Sequence, residues 1–171
     1  MPNLESLREH PALVHLNATQ VENLASISQL DERPIGYEII TRHQEGECLY
    51  FLLEGRLDVR FSDNPSEQTR IEVAAPAVVG EMEFLTGQAR TATVSCATKA
   101  TLLAVPYGVL RERIDDGDPA ALKLMAHIAR VLALRLTRMT EKFAEIDATA
   151  PPARRKELLE FRKTLFTDWT V

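Results

Sequence analysis

Apolar positions along this chain change their period twice. From Leu4 to Leu30 they recur at helical spacing through Leu4, Leu7, Leu13, Leu16, Val21, Leu24 and Ile27, with a break at Pro11. Asn17, followed three residues on by Gln20, has the form of a capping box, so two short helices are expected first. From about Ile35 to Pro106 the period falls to two. Leu49 to Leu53 form a compact apolar run that ends at Glu54-Gly55, and Leu57, Val59 and Phe61 then alternate with Arg56, Asp58 and Arg60. Ser62 to Ser66 carry turn chemistry, Ile71 and Val73 alternate again, and Ala92, Val94 and Cys96 alternate with threonine and serine. Leu102 to Val105 make a last strand before Pro106. Many short strands at this spacing predict a small antiparallel barrel or roll.

After the strands the helical period returns. Asp118 is a good cap and Pro119 suits the first helical position. Leu122, Met125, Ala129, Leu132, Leu136, Met139 and Phe143 then follow at alternating spacings of 3 and 4, the seam of a coiled coil. A second stripe, Leu124, Ile128, Val131 and Leu134, widens the apolar face. A helix over about 118–147 is predicted, packed on the roll and paired with a second copy of itself through Leu122 to Phe143, the alternative being a core helix of a monomer. Pro151-Pro152 ends it. The division expected is one domain over 1–145 and a tail over 148–171, in which Arg154, Arg155 and Lys156 precede a short amphipathic stretch suited to docking.

Composition narrows the function. Hydrophobic residues make up 45% and charged residues 26%, the mix of a soluble globular chain long enough for a real core. No apolar run reaches the roughly 18 residues of a membrane span. The first residues are too acidic for a secretory leader. The net charge of −5 argues against a dedicated nucleic-acid binder. Two cysteines without a close partner, Cys48 and Cys96, are expected as reduced core residues in a cytoplasmic setting. No nucleophile elbow, Walker loop or metal-ligand spacing occurs, and His10, His15, His43 and His127 are scattered, so no enzyme is expected.

The stretch Val78 to Val94 carries chemistry. Gly80 leaves a strand and opens a single helical turn, whose free N–H groups favour an anion. Gly87 turns the chain back. Arg90 follows, with a guanidinium able to grip two phosphate oxygens at once. Glu81, an acceptor only when ionised, suits the hydroxyls of a ribose. Amide donors and a cation for phosphate, with a carboxylate for sugar, form one coherent site. On Glu81 and Arg90 alone, the alternative is a surface turn with an ion pair worth little in water.

The whole arrangement resembles the cyclic nucleotide-binding domain family, found in bacterial catabolite activator proteins, kinase regulatory subunits and cyclic-nucleotide-gated channels. The family's phosphate-binding cassette is matched by Gly80-Glu81, Phe84-Leu85, Thr86-Gly87-Gln88-Ala89 and Arg90-Thr91-Ala92-Thr93-Val94. Upstream, Gly36 to Ile40, Gln44 to Glu47 and Leu49 to Val59 look like its first strands and glycine turns, and the likeness covers roughly residues 4–145. It implies an α+β fold, an antiparallel β-roll of jelly-roll type flanked by N-terminal helices and a long C-terminal helix. The implied ligand is cAMP, with cGMP as the other choice. It would bind at Gly80, Glu81, Met82, Arg90, Thr91 and Ala92, with Glu81 on the ribose 2′-hydroxyl and Arg90 on the cyclic phosphate. In the activator proteins a similar helix covers the base with polar residues, which fall here near Arg138, Met139 and Thr140.

One position departs from the family. The residue two after the cassette glutamate is usually small, and here it is Glu83. Beside a cyclic phosphate its carboxylate would repel, by about 1 kcal/mol or more once desolvated. The 26 residues after Glu145 are too few for a helix-turn-helix with its supporting helices, so direct DNA binding is not expected. Two readings follow. One is a nucleotide sensor that acts through its long helix and dimer packing on an effector protein or fused domain. The other is an interaction module of the same fold that binds no nucleotide.

Overall fold

The structure is a computed structural model that describes residues 7–64 and 70–149, with no side-chain description for 146–149. It divides into two compact units, Met1–Ile128 and Ala129–Val171. The expected tail therefore lies, from residue 150 on, outside the described residues, as do Leu4 and the Pro65–Ser66 part of the predicted turn.

The first unit begins with Leu7 and Arg8 in helical form. From Glu9 the chain winds through turns whose N–H groups reach back three residues, from His10 to Leu7, from Leu13 to His10 and from Leu16 to Leu13. So this stretch is tighter than the α-helix its spacing predicted. Pro11 has no N–H to continue one. His10 anchors it. Its Nδ1 accepts from the Ala12 N–H at 3.2 Å, so Nε2 carries the proton and donates to the Ala77 carbonyl at 3.2 Å. The ring stands edge-on to Phe51, and burial pushes its pKa down. Helix α1 (Ala18–Ser26) starts at Asn17 with both capping-box bonds made, Gln20 N–H to Asn17 and Asn17 N–H to Gln20.

Among the described residues eight strands follow: β1 (Gln29–Arg33), β2 (Glu38–Ile40), β3 (Cys48–Glu54), β4 (Arg56–Arg60), β5 (Arg70–Ala74), β6 (Ala77–Val79), β7 (Thr93–Cys96) and β8 (Ala100–Pro106). They form two four-stranded antiparallel sheets, ordered β1-β8-β3-β6 and β2-β7-β4-β5. Ile40, Leu52, Leu57, Val79, Val94, Cys96 and Leu102, drawn from both sheets, make one cluster. Fully burying each leucine contributes about 1.5–3 kcal/mol. With the helices beside it, this is the expected α+β antiparallel roll.

Two elements had no signal in the sequence. Strand β1, Gln-Leu-Asp-Glu-Arg, is an edge strand with every residue at least partly exposed, so neither face imposes an apolar period. The other is a short helix, α3 (Tyr107–Asp115), which follows α2 (Glu81–Thr86) in the chain. Only Tyr107 and Leu110 of α3 are buried, too few to set a helical stripe.

Helix α4 (Pro119–Thr149) starts where Asp118 accepts from the Ala120 N–H at 2.7 Å. In the first unit Ala120, Ala121, Leu124 and Ile128 are buried while Leu122 is 45% exposed. So the second stripe faces the core there, and the 3-4 seam begins on the outside. In the second unit Leu134, Leu136 and Met139 are exposed. Among the described residues no helix is long and apolar enough to cross a membrane, and Cys48 and Cys96 are free, with Cys96 buried and Cys48 partly so.

Candidate functional site

Strand β6 runs into Gly80, whose φ of +91° is left-handed backbone that disfavours any side chain. A Cβ there would also lie 2.5 Å from Arg90 Nη1. The chain then makes the single short helix α2 and leaves it through Gly87, whose N–H returns to the Glu83 carbonyl at 2.8 Å. On α2 the buried side chains are Glu81, Glu83 and Phe84, while Met82 and Leu85 face solvent.

Arg90 is fixed through both backbone and side chain. Its N–H donates to the Gln44 carbonyl at 3.1 Å, and its carbonyl accepts from the His43 N–H at 2.9 Å. These bonds tie the connection between β2 and β3 to the cassette. Its guanidinium lies inside the protein. Nη2 donates to the Cys48 carbonyl at 2.9 Å, Nε forms an ion pair with Glu83 Oε2 at 2.6 Å, and Nη1 lies by the Tyr107 hydroxyl without a well-formed hydrogen bond. The two side chains are 6% and 9% exposed.

Glu83 uses its other oxygen as well. Oε1 accepts from the Gly46 N–H at 2.5 Å. Gly46 is closely fitted to this pair, since a Cβ on it would collide with both Arg90 and Glu83. Tyr107, the first residue of α3, closes the far side. Its hydroxyl donates to the Gly80 carbonyl at 2.5 Å, and its ring lies 5.4 Å from Arg90 Cζ and 5.0 Å from the Phe84 ring. Burial, reinforced by the Glu83 carboxylate, pushes the Tyr107 phenol far above its usual range, so it remains a donor. Burial likewise raises the Cys48 thiol, which stays protonated at neutral pH.

Of the residues read from the sequence, Gly80, Glu81, Glu83, Arg90 and Ala92 lie in or beneath the cassette, with all but Gly80 buried. Met82 and Thr91 are exposed. Arg138 and Thr140 belong to the second unit, where Arg138 is exposed and the Thr140 hydroxyl donates to the Leu136 carbonyl of its own helix. Glu83 turns inward, so the unusual carboxylate meets the guanidinium directly. Sequence reasoning missed Gly46, the Cys48 carbonyl and Tyr107. Gly46 stood in a recognisable glycine turn, but nothing marked Tyr107 beyond its place after Pro106.

Chemically the cassette offers a buried cation with one donor, Nη1, in no well-formed hydrogen bond, a buried carboxylate at Glu81 and a second carboxylate already on the cation. Residues 33–116 match the family model of the cyclic nucleotide-binding domain. A cyclic nucleotide-gated potassium channel of Rhizobium etli is 36% identical over 86 residues, which are 50% of this chain and 22% of the channel. The chain spans about a fifth of the length of the curated relatives it matches. Among solved structures, a cyclic nucleotide-binding domain from Methylobacillus flagellatus superposes with a TM-score of 0.69 at 19% identity, covering 86% of this chain and 84% of that one, a likeness of fold. The regulatory subunit of a cAMP-independent protein kinase A from Trypanosoma brucei, in a triply substituted form bound to cAMP in its A site, gives a TM-score of 0.64 at 26% identity and covers 78% of this chain and 46% of that one. With its two antiparallel sheets and its Gly80–Val94 cassette, this chain carries, over residues 33–116, a domain of the cyclic nucleotide-binding family.

Proposed function

We propose that this chain is a regulatory domain that senses a cyclic nucleotide, cAMP before cGMP, at Gly80, Glu81, Met82, Arg90, Thr91 and Ala92. The observation that carries this reading is the Arg90 guanidinium, buried beneath Gly80 with Nη1 in no well-formed hydrogen bond. A buried cation with a spare donor is a natural partner for an anion. Glu81, in the same turn, is the acceptor for ribose. Output passes through α4. Its seam residues Leu122, Leu136 and Met139 are 45–56% exposed on the single chain, and pairing with a second copy would cover them. The domain does no chemistry of its own and acts on an effector protein or a fused domain.

The test is the melting temperature during titration with cAMP, cGMP and 5′-AMP up to about 10 mM, since ligand binding raises stability with concentration. A larger rise with cAMP than with the other two supports the reading. Equal responses to all three, or none, would sink it. Light scattering reads the dimer, which replacement of Leu136 by aspartate should dissociate.

The second reading, an interaction module that binds no nucleotide, has its own support in the Glu83–Arg90 pair. In the trypanosomal variant bound to cAMP, a glutamate is replaced by alanine and a threonine seven positions later by arginine. Glu83 and Arg90 are likewise seven positions apart. The two readings therefore turn on one side chain.

A further inference from the structure

We propose that Glu83 is the residue that sets the affinity of the cassette: its carboxylate holds, from within the chain, the guanidinium that a cyclic phosphate needs, and so sets a high threshold for nucleotide binding. This rests on the cyclic-nucleotide reading and deepens it.

Charge and geometry carry the inference together. The buried pair of Arg90 and Glu83 is neutral as it stands. A cyclic phosphate would bring a second negative charge to the same cation. A guanidinium grips phosphate best through two adjacent nitrogens. Here Nε faces Glu83 and Nη2 donates to the Cys48 carbonyl, which leaves Nη1, beside the Tyr107 hydroxyl, as the guanidinium nitrogen without a well-formed bond. Glu83 cannot swing aside cheaply, because its other oxygen holds the Gly46 N–H. The loop fits this arrangement, since Gly46 has no room for a Cβ against the pair. Nucleotide has two routes. It either binds Nη1 with a carboxylate beside it, or it displaces Glu83 from Arg90 and Gly46 at once. The first is repulsive. The second breaks a buried ion pair and releases the β2–β3 connection at Gly46. Both weaken binding, and the second couples nucleotide entry to movement of that loop.

The experiment compares cAMP and cGMP affinity, by calorimetry, in wild type, Glu83→Ala, Glu83→Gln, and Glu83→Ala combined with Arg90→Ala. Circular dichroism and melting curves establish that each variant is folded. Wild type is expected to bind only at millimolar nucleotide, and Glu83→Ala about 100-fold more tightly. Glu83→Gln keeps an acceptor for the Gly46 N–H without the charge and should move the same way. Adding Arg90→Ala should remove the gain. Equal affinity in wild type and both Glu83 variants would overturn the role of Glu83 and leave the cyclic-nucleotide reading standing. Folded Glu83 variants that bind neither nucleotide would overturn both. A measurement on wild type needs no variant at all. The Nε proton of Arg90, observed by NMR, should be protected from exchange with water. Exchange as fast as that of the exposed arginines would refute the internal pair.

Discussion

Carboxylate–guanidinium pairs on one sheet and in the cassette make a comparison. On the sheet β2-β7-β4-β5, Arg56 meets Glu72 at 3.6 Å, Arg70 meets Asp58 at 3.5 Å and Arg60 meets Glu38 at 3.3 Å, all with at least one partner well exposed. In the cassette, Arg90 meets Glu83 at 2.6 Å with both side chains more than nine-tenths buried. The functional groups are the same and the surroundings differ. On the sheet, water solvates either charge when its partner is removed. In the cassette it does not, so each group constrains the other, and the pair controls what else may bind.

Removal of Arg90 should show this difference most strongly. Arg90→Ala leaves the Glu83 carboxylate buried, still accepting from the Gly46 N–H but without its guanidinium, and should lower unfolding stability by about 3–5 kcal/mol in urea titrations. The double variant that also replaces Glu83 by alanine should recover part of the loss, because no charge is then stranded. A loss for Arg90→Ala below about 1 kcal/mol would put this pair in the same class as the surface pairs.

Tyr107→Phe probes the wall of the same site. The hydroxyl donates to the Gly80 carbonyl, and its removal should cost about 1–2 kcal/mol because that acceptor keeps only the long bond from the Phe84 N–H at 3.5 Å. If affinity for nucleotide in a Glu83→Ala background also falls, the bond positions Gly80 as well as stabilising it.

The contrast between these regions also marks how far the sequence could be read. The roll was legible because Leu49–Leu53, Leu57–Val59 and Leu102–Val105 are half or wholly buried, and burial leaves a period in the residues. Asn17 and Asp118 announced their helices through side chains that bond to backbone N–H groups nearby. Strand β1 left no trace, since its partner β8 and not its own composition makes it a strand. The cassette was legible as a motif, and Glu83 as a departure from it. Its direction was not legible, because that depends on Gly46, 37 residues earlier, and on a guanidinium seven residues later. Tyr107 was invisible for the same reason: its role comes from a carbonyl on a distant turn.

A graded effect is expected from His10, a buried imidazole held by the Ala12 N–H and the Ala77 carbonyl. Burial lowers its pKa below the ordinary 6.5. The folded protein therefore holds it neutral while the unfolded chain takes up a proton as pH falls past 6.5. The stability it contributes is complete above that value and is lost progressively between 6.5 and its lowered folded pKa. Protonation would also end the acceptor role of Nδ1 toward the Ala12 N–H. Urea midpoints measured from about pH 8 to about pH 5 should fall more steeply in wild type than in His10→Gln. Parallel profiles would remove His10 from the account.

The smallest effect should come from the surface pairs, and it completes the comparison. Arg56 and Glu72 are each more than half exposed, so Glu72→Ala leaves an arginine that water solvates freely. The loss should be about 0.5 kcal/mol or less and should shrink further in about 1 M salt, where the screening length is only about 3 Å. The Arg90→Ala loss should hardly respond to salt, because ions cannot reach a pair so deeply buried. Salt dependence thus separates the two settings more sharply than the size of either loss. A salt-sensitive Arg90→Ala would mean that solvent reaches the guanidinium, and with it that a soluble phosphate ester has a path to Nη1 without displacing Glu83.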